Sequence, residues 1–353
     1  MNFLDGSLFP ENQDKLVITV APYGPEWIPS DFPEDIAVTL DEQVQKAVDC
    51  YNAGATVLHV HVRELDGKGS KRLSKFNELL GRLRVAVPDM VLQVGGSISF
   101  APETEGAAAK WLSDDTRHML AELDPKPDQV TVTVNTSQMN VVEQMCEADL
   151  AGTSLAEPAN YNAYREMTVP GGPGWAEEHV RRLNAARIQS AFQFYNINSF
   201  ETVERMIRRG VYKGPLVMNW VAIGGGMDAP NIYNLANFLR ATPDGAMLTL
   251  ESSMLNTLPV NMIAIAMGLH VRCGIEDNLW TQDRKAKMSS VKQVEQLVRI
   301  SREFGREVAT GKEARQICKI GTFYESIDET LAKNGFAPNR KPGARGPALR
   351  AVA

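Results

Sequence analysis

A chain of 353 residues, 44% hydrophobic and 23% charged, has the composition of a folded globular protein with material for a large core, which excludes fibrous and disordered classes. Its net charge of −6 and pI near 5.6 exclude a broad nucleic-acid footprint, because that needs a basic stripe to displace counterions from phosphates. A small-molecule partner is expected, with no nucleic acid. Cys50, Cys146, Cys273 and Cys318 show neither C-x-x-C spacing nor the density of a secreted disulfide scaffold, so a reducing, cytoplasmic location is expected. Residues 1–15 lack the basic-then-apolar order of a signal peptide. The longest apolar stretch, 258–269, contains Asn261 and falls short of the roughly 20 residues that span a bilayer, so no membrane partner is expected.

Short β-branched runs recur at 16–21, 56–62, 90–94, 129–134, 190–195, 216–222, 246–250 and 270–275, each followed by a stretch of helical period. After the first run, Thr39 and Glu42 make a capping box, Val44, Ala47, Val48 and Tyr51 recur at helical spacing, and Gly54 ends the helix. Phe76, Leu79, Leu80 and Leu83 repeat the pattern before the third run, and Val203, Met206 and Ile207 do so after the fifth. Eight such units with no G-x-G-x-x-G after any strand predict an α/β fold of the (β/α)8 TIM-barrel type in preference to an open doubly wound sheet.

The chain is read as a single TIM-barrel domain over 1–353, with an insertion at 151–175 beside the fourth strand and a C-terminal extension at 306–353. The insertion is too long for an ordinary βα loop and carries Tyr161, Tyr164 and Arg165, which suits a lid or an oligomer contact. Val291, Val294, Leu297 and Val298 mark a helix after the eighth strand, and short helical patterns follow at 316–320 and near Leu331. Residues 339–353 are rich in Pro, Gly and Arg without an acid, as in a mobile tail or an arm over a neighbouring subunit of a homo-oligomer.

In Val57-Leu58-His59-Val60-His61-Val62 the strand period sends both imidazoles to one face and the aliphatics to the other. Two histidines at the C-terminal end of a barrel strand can share a metal; otherwise each must find its own hydrogen bond. A catalytic zinc site takes three protein ligands and keeps one position open. Arg272-Cys273-Gly274-Ile275-Glu276-Asp277-Asn278 closes the eighth strand, and by parity Arg272 and Glu276 share a face, delivering a carboxylate to the barrel mouth. The alternative there is a structural Arg/Glu ion pair.

His59-Val60-His61-Val62-Arg63-Glu64, Thr19-Val20-Ala21 with Glu26 soon after, and Gly268 through Asn278 resemble the β-keto acid cleavage enzyme family, over roughly residues 16–309 with a gap at the 151–175 insertion. The resemblance implies a zinc-bearing barrel that converts a β-keto acid and acetyl-CoA into acetoacetate and a new acyl-CoA. It implies Zn2+ on His59, His61 and Glu276, catalysis by Arg272 and Asp277, and substrate binding by Glu26 and Thr131. In that chemistry zinc polarises the β-keto oxygen, Asp277 takes a proton toward an acetyl-CoA enolate, and Arg272 stabilises negative charge. No lysine ends a predicted strand, so no Schiff-base route is expected.

The chain departs from the family pattern at several points. Gln93-Val94-Gly95-Gly96-Ser97 stands where a serine precedes Gly-Gly, which makes Gly96 and Ser97 the expected substrate contacts there. Thr133 replaces an asparagine, and Gln193 replaces the glutamate of the fifth strand, which argues against an obligatory cationic substrate. Glu251-Ser252-Ser253-Met254 replaces a glycine-containing turn, whereas Gly225-Gly226-Met227 is retained. Tyr195 shares the parity of Gln193, Phe194 faces outward into packing, and Trp27 is a candidate for the acyl pocket. Two rival readings are a barrel hydrolase of amidohydrolase type, which needs further metal-binding histidines, and a metal-retaining binding protein without turnover.

Overall fold

The computed structural model describes residues 1–96, 117–135, 139–167 and 171–343. Eight parallel strands close into a barrel in sequential order. They are β1 (Ile18–Val20), β2 (Val57–Val60), β3 (Val91–Val94), β4 (Gln129–Thr133), β5 (Gln189–Phe194), β6 (Val217–Ala222), β7 (Met247–Ser252) and β8 (His270–Cys273), with β8 paired back onto β1. Each coincides with a predicted run, its ends moved by a residue or two. Val62 and Arg63 leave the second run to pair antiparallel with Gly69–Ser70 in a short hairpin at the rim.

Alternation along the strands sorts the side chains. Leu58, Val60, Leu92, Val94, Phe192, Phe194, Met218 and Trp220 face outward into one core with helix residues such as Phe76, Leu79, Val203 and Phe238. Above an aliphatic bottom layer that includes Val57 and Val91, the inward set is largely polar: His59, Gln93, Gln129, Thr131, Gln193, Asn219, Glu251 and Arg272 are all buried. Burying so many polar groups is tolerable only when most satisfy one another, so the upper barrel interior is a hydrogen-bonded network in place of the usual branched aliphatic filling.

Both ends of the barrel are covered. At the bottom, Val17, Val57 and Val91 pack on Ala309, Ala314 and Cys318, and Leu16 bridges to Val308, so the start of the extension plugs the barrel. Helix Ile327–Asn334 accounts for the pattern near Leu331, whereas the helix expected at 316–320 lies earlier, at Gly311–Ile317, with 318–320 in a turn; the tail beyond residue 343 lies outside the described residues. At the top, the helix Pro158–Arg165 and the turn Ser154–Ala156 lie within the expected insertion, and Pro173–Ala185 begins inside it. Leu155, Tyr164 and Met167 form a second apolar cluster with Trp27, Phe32, Met254 and Ile275. Ser154 donates to Asp31 from both its backbone N–H (2.5 Å) and its hydroxyl (2.6 Å), pinning this segment to the loop after β1. Among the described residues no helix is long and apolar enough to cross a membrane.

Candidate active site at the barrel mouth

The two imidazoles of the H-x-H run meet as the strand period requires. His59 Nε2 and His61 Nε2 stand 3.0 Å apart, and Glu276 presents Oε1 3.4 Å from the first and Oε2 3.5 Å from the second. These three are the one group among the described residues with donor atoms close enough together to hold a metal ion. The space between them is protected by an absent side chain. A Cβ on Gly95 would stand 2.5 Å from His61 Nε2 and 3.0 Å from His59 Nε2, so only glycine leaves the cluster room.

Glu276 reaches its position from a turn, not from a continued strand. β8 ends at Cys273, and Gly274 adopts φ +126°, with a Cβ there colliding with the carbonyl of Ala21. Only glycine combines that conformation with so close an approach to β1. The turn is held by the helix Ser290–Phe304, where Gln293 Oε1 accepts from Gly274 N–H and Ser290 Oγ from Ile275 N–H. Strand parity thus anticipated the right neighbour for Arg272 by the wrong geometry.

Arg272 is the hub of the site. Its Nε and Nη2 each donate to Asp277 at 2.9 Å, Nη2 donates to Glu276 Oε1 at 2.6 Å, and Glu251 Oε1 lies 3.5 Å from Nε. Burial opposes its charge, but Asp277, Glu251 and Glu276 together hold its pKa well above the ordinary value. Burial likewise raises Glu276, yet Arg272 and the two histidines outweigh it and hold that carboxyl well below the carboxylate range. Burial pushes Asp277 up to about 6, against the pull of Arg272, and pushes Glu251 up to about 8. His59 falls to about 4 through burial and the neighbouring Arg272, which keeps its imidazole neutral and able to ligate.

The remaining predicted residues gather on the same cavity, which Glu26, Gly96, Thr131 and Gln193 line together with Trp27 and Tyr195. Glu26 Oε2 is buried without a hydrogen-bond partner, and burial followed by the charge of Glu276 pushes its pKa well above the usual range. Its loop is gripped by Arg63, which donates to the carbonyls of Trp27 (2.8 Å), Tyr23 (2.6 Å), Gly67 (2.6 Å) and Gly24. That is the physical role of the arginine in H-x-H-x-R-E. Thr131 Oγ1 accepts from Gly96 N–H at 2.6 Å, joining those two positions. Ser97 lies outside the described residues.

Three features of the site were not read from the sequence. Glu251 enters the cavity from β7, so a carboxylate stands near Gln193 after all, linked through Asn219 Nδ2, which donates to Gln193 Oε1 (3.3 Å) and to Glu251 Oε2 (3.1 Å). Inward parity on β7 was the available signal, since residues 249 and 251 share a face. Gln93 contacts His59 directly, its Oε1 lying 2.9 Å from Nδ1. Met139, Val141, Met145 and Leu155 form an apolar wall from the long connection after β4, which no periodicity announces.

A closed parallel barrel with its charged groups gathered at the C-terminal ends of the strands defines a TIM-barrel enzyme. Residues 15–320 match the model of the beta-keto acid cleavage enzyme family, and the chain belongs to that family. A 3-keto-5-aminohexanoate cleavage enzyme from Acetoanaerobium sticklandii is 27% identical over 308 residues, covering 87% of this chain and 99% of the relative. A 3,5-dioxohexanoate:acetyl-CoA acetone transferase from Paraburkholderia graminis is 24% identical, covering 87% of this chain and 96% of the relative. Among solved structures, a binary complex of ObcA with oxaloacetate superposes with a TM-score of 0.58 at 12% identity, over 81% of this chain and 68% of that one, a likeness of fold.

Proposed function

We propose that the protein exchanges acyl groups between a β-keto acid and acetyl-CoA, yielding acetoacetate and a new acyl-CoA. The observation that carries this reading is the convergence of His59, His61 and Glu276 on one point beside the Arg272–Asp277 pair. Zn2+ suits those donors, two imidazoles and a carboxylate whose Oε2 is buried without a hydrogen bond. Four carboxyl groups, Glu26, Glu251, Glu276 and Asp277, line the cavity against the single guanidinium of Arg272, and a bound cation would favour the ionised form of those that burial pushes up. Bound there, zinc would supply Lewis-acid polarisation of a keto oxygen.

The products determine which carbon Asp277 must activate. The carboxylate-bearing carbon of acetoacetate derives from the β-keto acid, so the proton leaves C2 of that acid, not the acetyl methyl as the residue chemistry first suggested. Asp277 takes it, C2 bonds to the acetyl carbonyl carbon, and the CoA thiolate departs. That thiolate then attacks the original keto carbon, the bond from that carbon to C2 breaks, and C2 recovers the proton as acetoacetate leaves. Arg272 offsets the negative charge that builds during both additions. Glu26, Gly96, Ser97 and Thr131 are assigned to substrate binding.

Gln193 sets the character of the acyl end. Because Asn219 donates to its Oε1, its Nε2 faces the cavity, buried and without a partner among the described residues. An N–H donor there selects an acceptor oxygen and disfavours an ammonium group, while the Glu251 carboxyl, pushed up to about 8 by burial, is engaged by Arg272 and Asn219. The amidohydrolase reading lacks its ligands. His118 and His179 stack with Trp175, and His270 Nδ1 accepts from Val17 N–H, so none of them joins the cluster. The direct test is a mass-spectrometric screen of β-keto acids with acetyl-CoA. Paired acetoacetate and acyl-CoA support the proposal, and hydrolysis without CoA refutes it.

A further inference from the structure

Three glutamines occupy one level of the barrel interior, on β3, β4 and β5. The register sets His59 beside Gln93, Gln93 beside Gln129, and Gln129 beside Gln189. All are buried, and their amides form an unbroken chain. Gln189 Nε2 donates to the carbonyls of Cys318 (3.0 Å) and Lys319 (3.3 Å), Gln129 Nε2 to Gln189 Oε1 (2.6 Å), and Gln93 Nε2 to Gln129 Oε1 (2.9 Å). Gln93 Oε1 then meets His59 Nδ1 at 2.9 Å.

The direction of this chain is determined at its far end. Cys318 caps the helix Gly311–Ile317, so its carbonyl belongs to the group that a helix end leaves without a partner. A carbonyl can only accept, so Gln189 must turn its NH2 toward Cys318 and Lys319. Each amide before it must then turn the same way, and Gln93 is left presenting an oxygen to His59. Reversing the row would set Gln189 Oε1 against two carbonyls and leave it and the buried Cys318 carbonyl unpaired, and an unsatisfied buried acceptor forfeits its whole hydration. An oxygen opposite Nδ1 requires the proton on Nδ1, which leaves the Nε2 lone pair facing His61 and Glu276.

We infer that Gln93, Gln129 and Gln189 form a polarised amide relay, anchored on the C-terminal extension, that holds His59 in the Nδ1–H tautomer with its Nε2 lone pair aimed at the metal position. The inference rests on the reading of His59 as a ligand. The three glutamines are positioning residues: they touch no substrate and act through His59. They also give the plug at the bottom of the barrel a role at its mouth.

The test begins with metal-free wild-type protein carrying 15N-labelled histidine, in which long-range proton–nitrogen correlation identifies the protonated nitrogen of each ring. His59 is assigned by the signal lost in His59→Gln. The expected result is Nδ1–H, and an Nε2–H ring in the wild type overturns the relay with no need of a variant. Gln129→Leu then cuts the row without touching the histidine. It should give mixed His59 tautomers and weaken metal binding about 10–100-fold in chelator competition, as loss of an outer partner of a metal ligand does. A single Nδ1–H tautomer with unchanged affinity in Gln129→Leu overturns the inference. So does a tautomer shift that leaves affinity unchanged, while the metal content of His59→Ala separately tests whether His59 is a ligand at all.

Discussion

The most demanding test of the metal site adds atoms instead of removing a ligand. In Gly95→Ala the new methyl would stand 2.5 Å from His61 Nε2 and closer still to its Cε1, with His59 Nε2 at 3.0 Å. Ordinary van der Waals separation is about 3.5 Å, so the His61 ring must withdraw by more than about 1 Å. Metal–ligand distances tolerate only about 0.2 Å, so the displacement exceeds the tolerance several-fold and uncouples His61 from the other two ligands. Overpacking costs about 1–3 kcal/mol, which a barrel of this size can absorb while folded. The expected outcome is a folded protein whose zinc affinity, measured by chelator competition, falls by at least about 100-fold. Gly172→Ala is the control, because a Cβ there meets nothing within 4 Å and should change neither quantity. A Gly95→Ala protein that binds zinc within threefold of wild type would refute the placement of the ion between these side chains.

Metal content by mass spectrometry should be about one ion per chain and should fall in His61→Ala; full retention in both His59→Ala and Glu276→Ala would sink the ligand assignment. Asp277→Asn preserves the size of a residue bonded twice to Arg272 but removes its basicity, so turnover should fall about 100-fold or more with metal retained. Wild-type turnover in that variant would reject Asp277 as the proton acceptor. A neutral β-keto acid should outcompete its amino analogue, and Gln193→Glu should move the kcat/KM ratio of a matched pair toward the amine; an unchanged ratio would remove Gln193 from acyl selection. Burial lowers His179 and His270 to about 3, the charges of His118 and Arg306 respectively adding to it. Both folded values lie below the unfolded value near 6.5, so the unfolded chain binds more protons. Their stabilisation is complete above about pH 6.5 and is lost as pH falls toward 3, with a slope of up to about 1.4 kcal/mol per pH unit for each histidine. Urea midpoints of chelator-treated protein should show this, and His270→Gln should flatten the slope; an unaltered slope would exclude His270 as a contributor.

The elements and the three side chains of the candidate metal cluster were legible in one dimension because they depend on local periodicity. Alternation in Val57–Val60 and its continuation to His61 aims two imidazoles inward whatever the rest of the chain does, and eight runs of that kind separated by helical spacing close into a barrel. Glu276 could be attached to them because a short turn after β8 keeps a carboxylate near Arg272, although the turn at Gly274, not strand parity, does the placing. What the tertiary structure alone decided are the contacts between units distant in sequence. Glu251 and Gln193 are joined only through Asn219 on the strand between them. The apolar wall at 139–155 becomes part of the cavity only when the connection after β4 folds over the mouth. The orientation of His59 depends on a carbonyl at residue 318, far along the chain, because hydrogen-bond direction passes from one buried amide to the next and is set by whichever end has no choice.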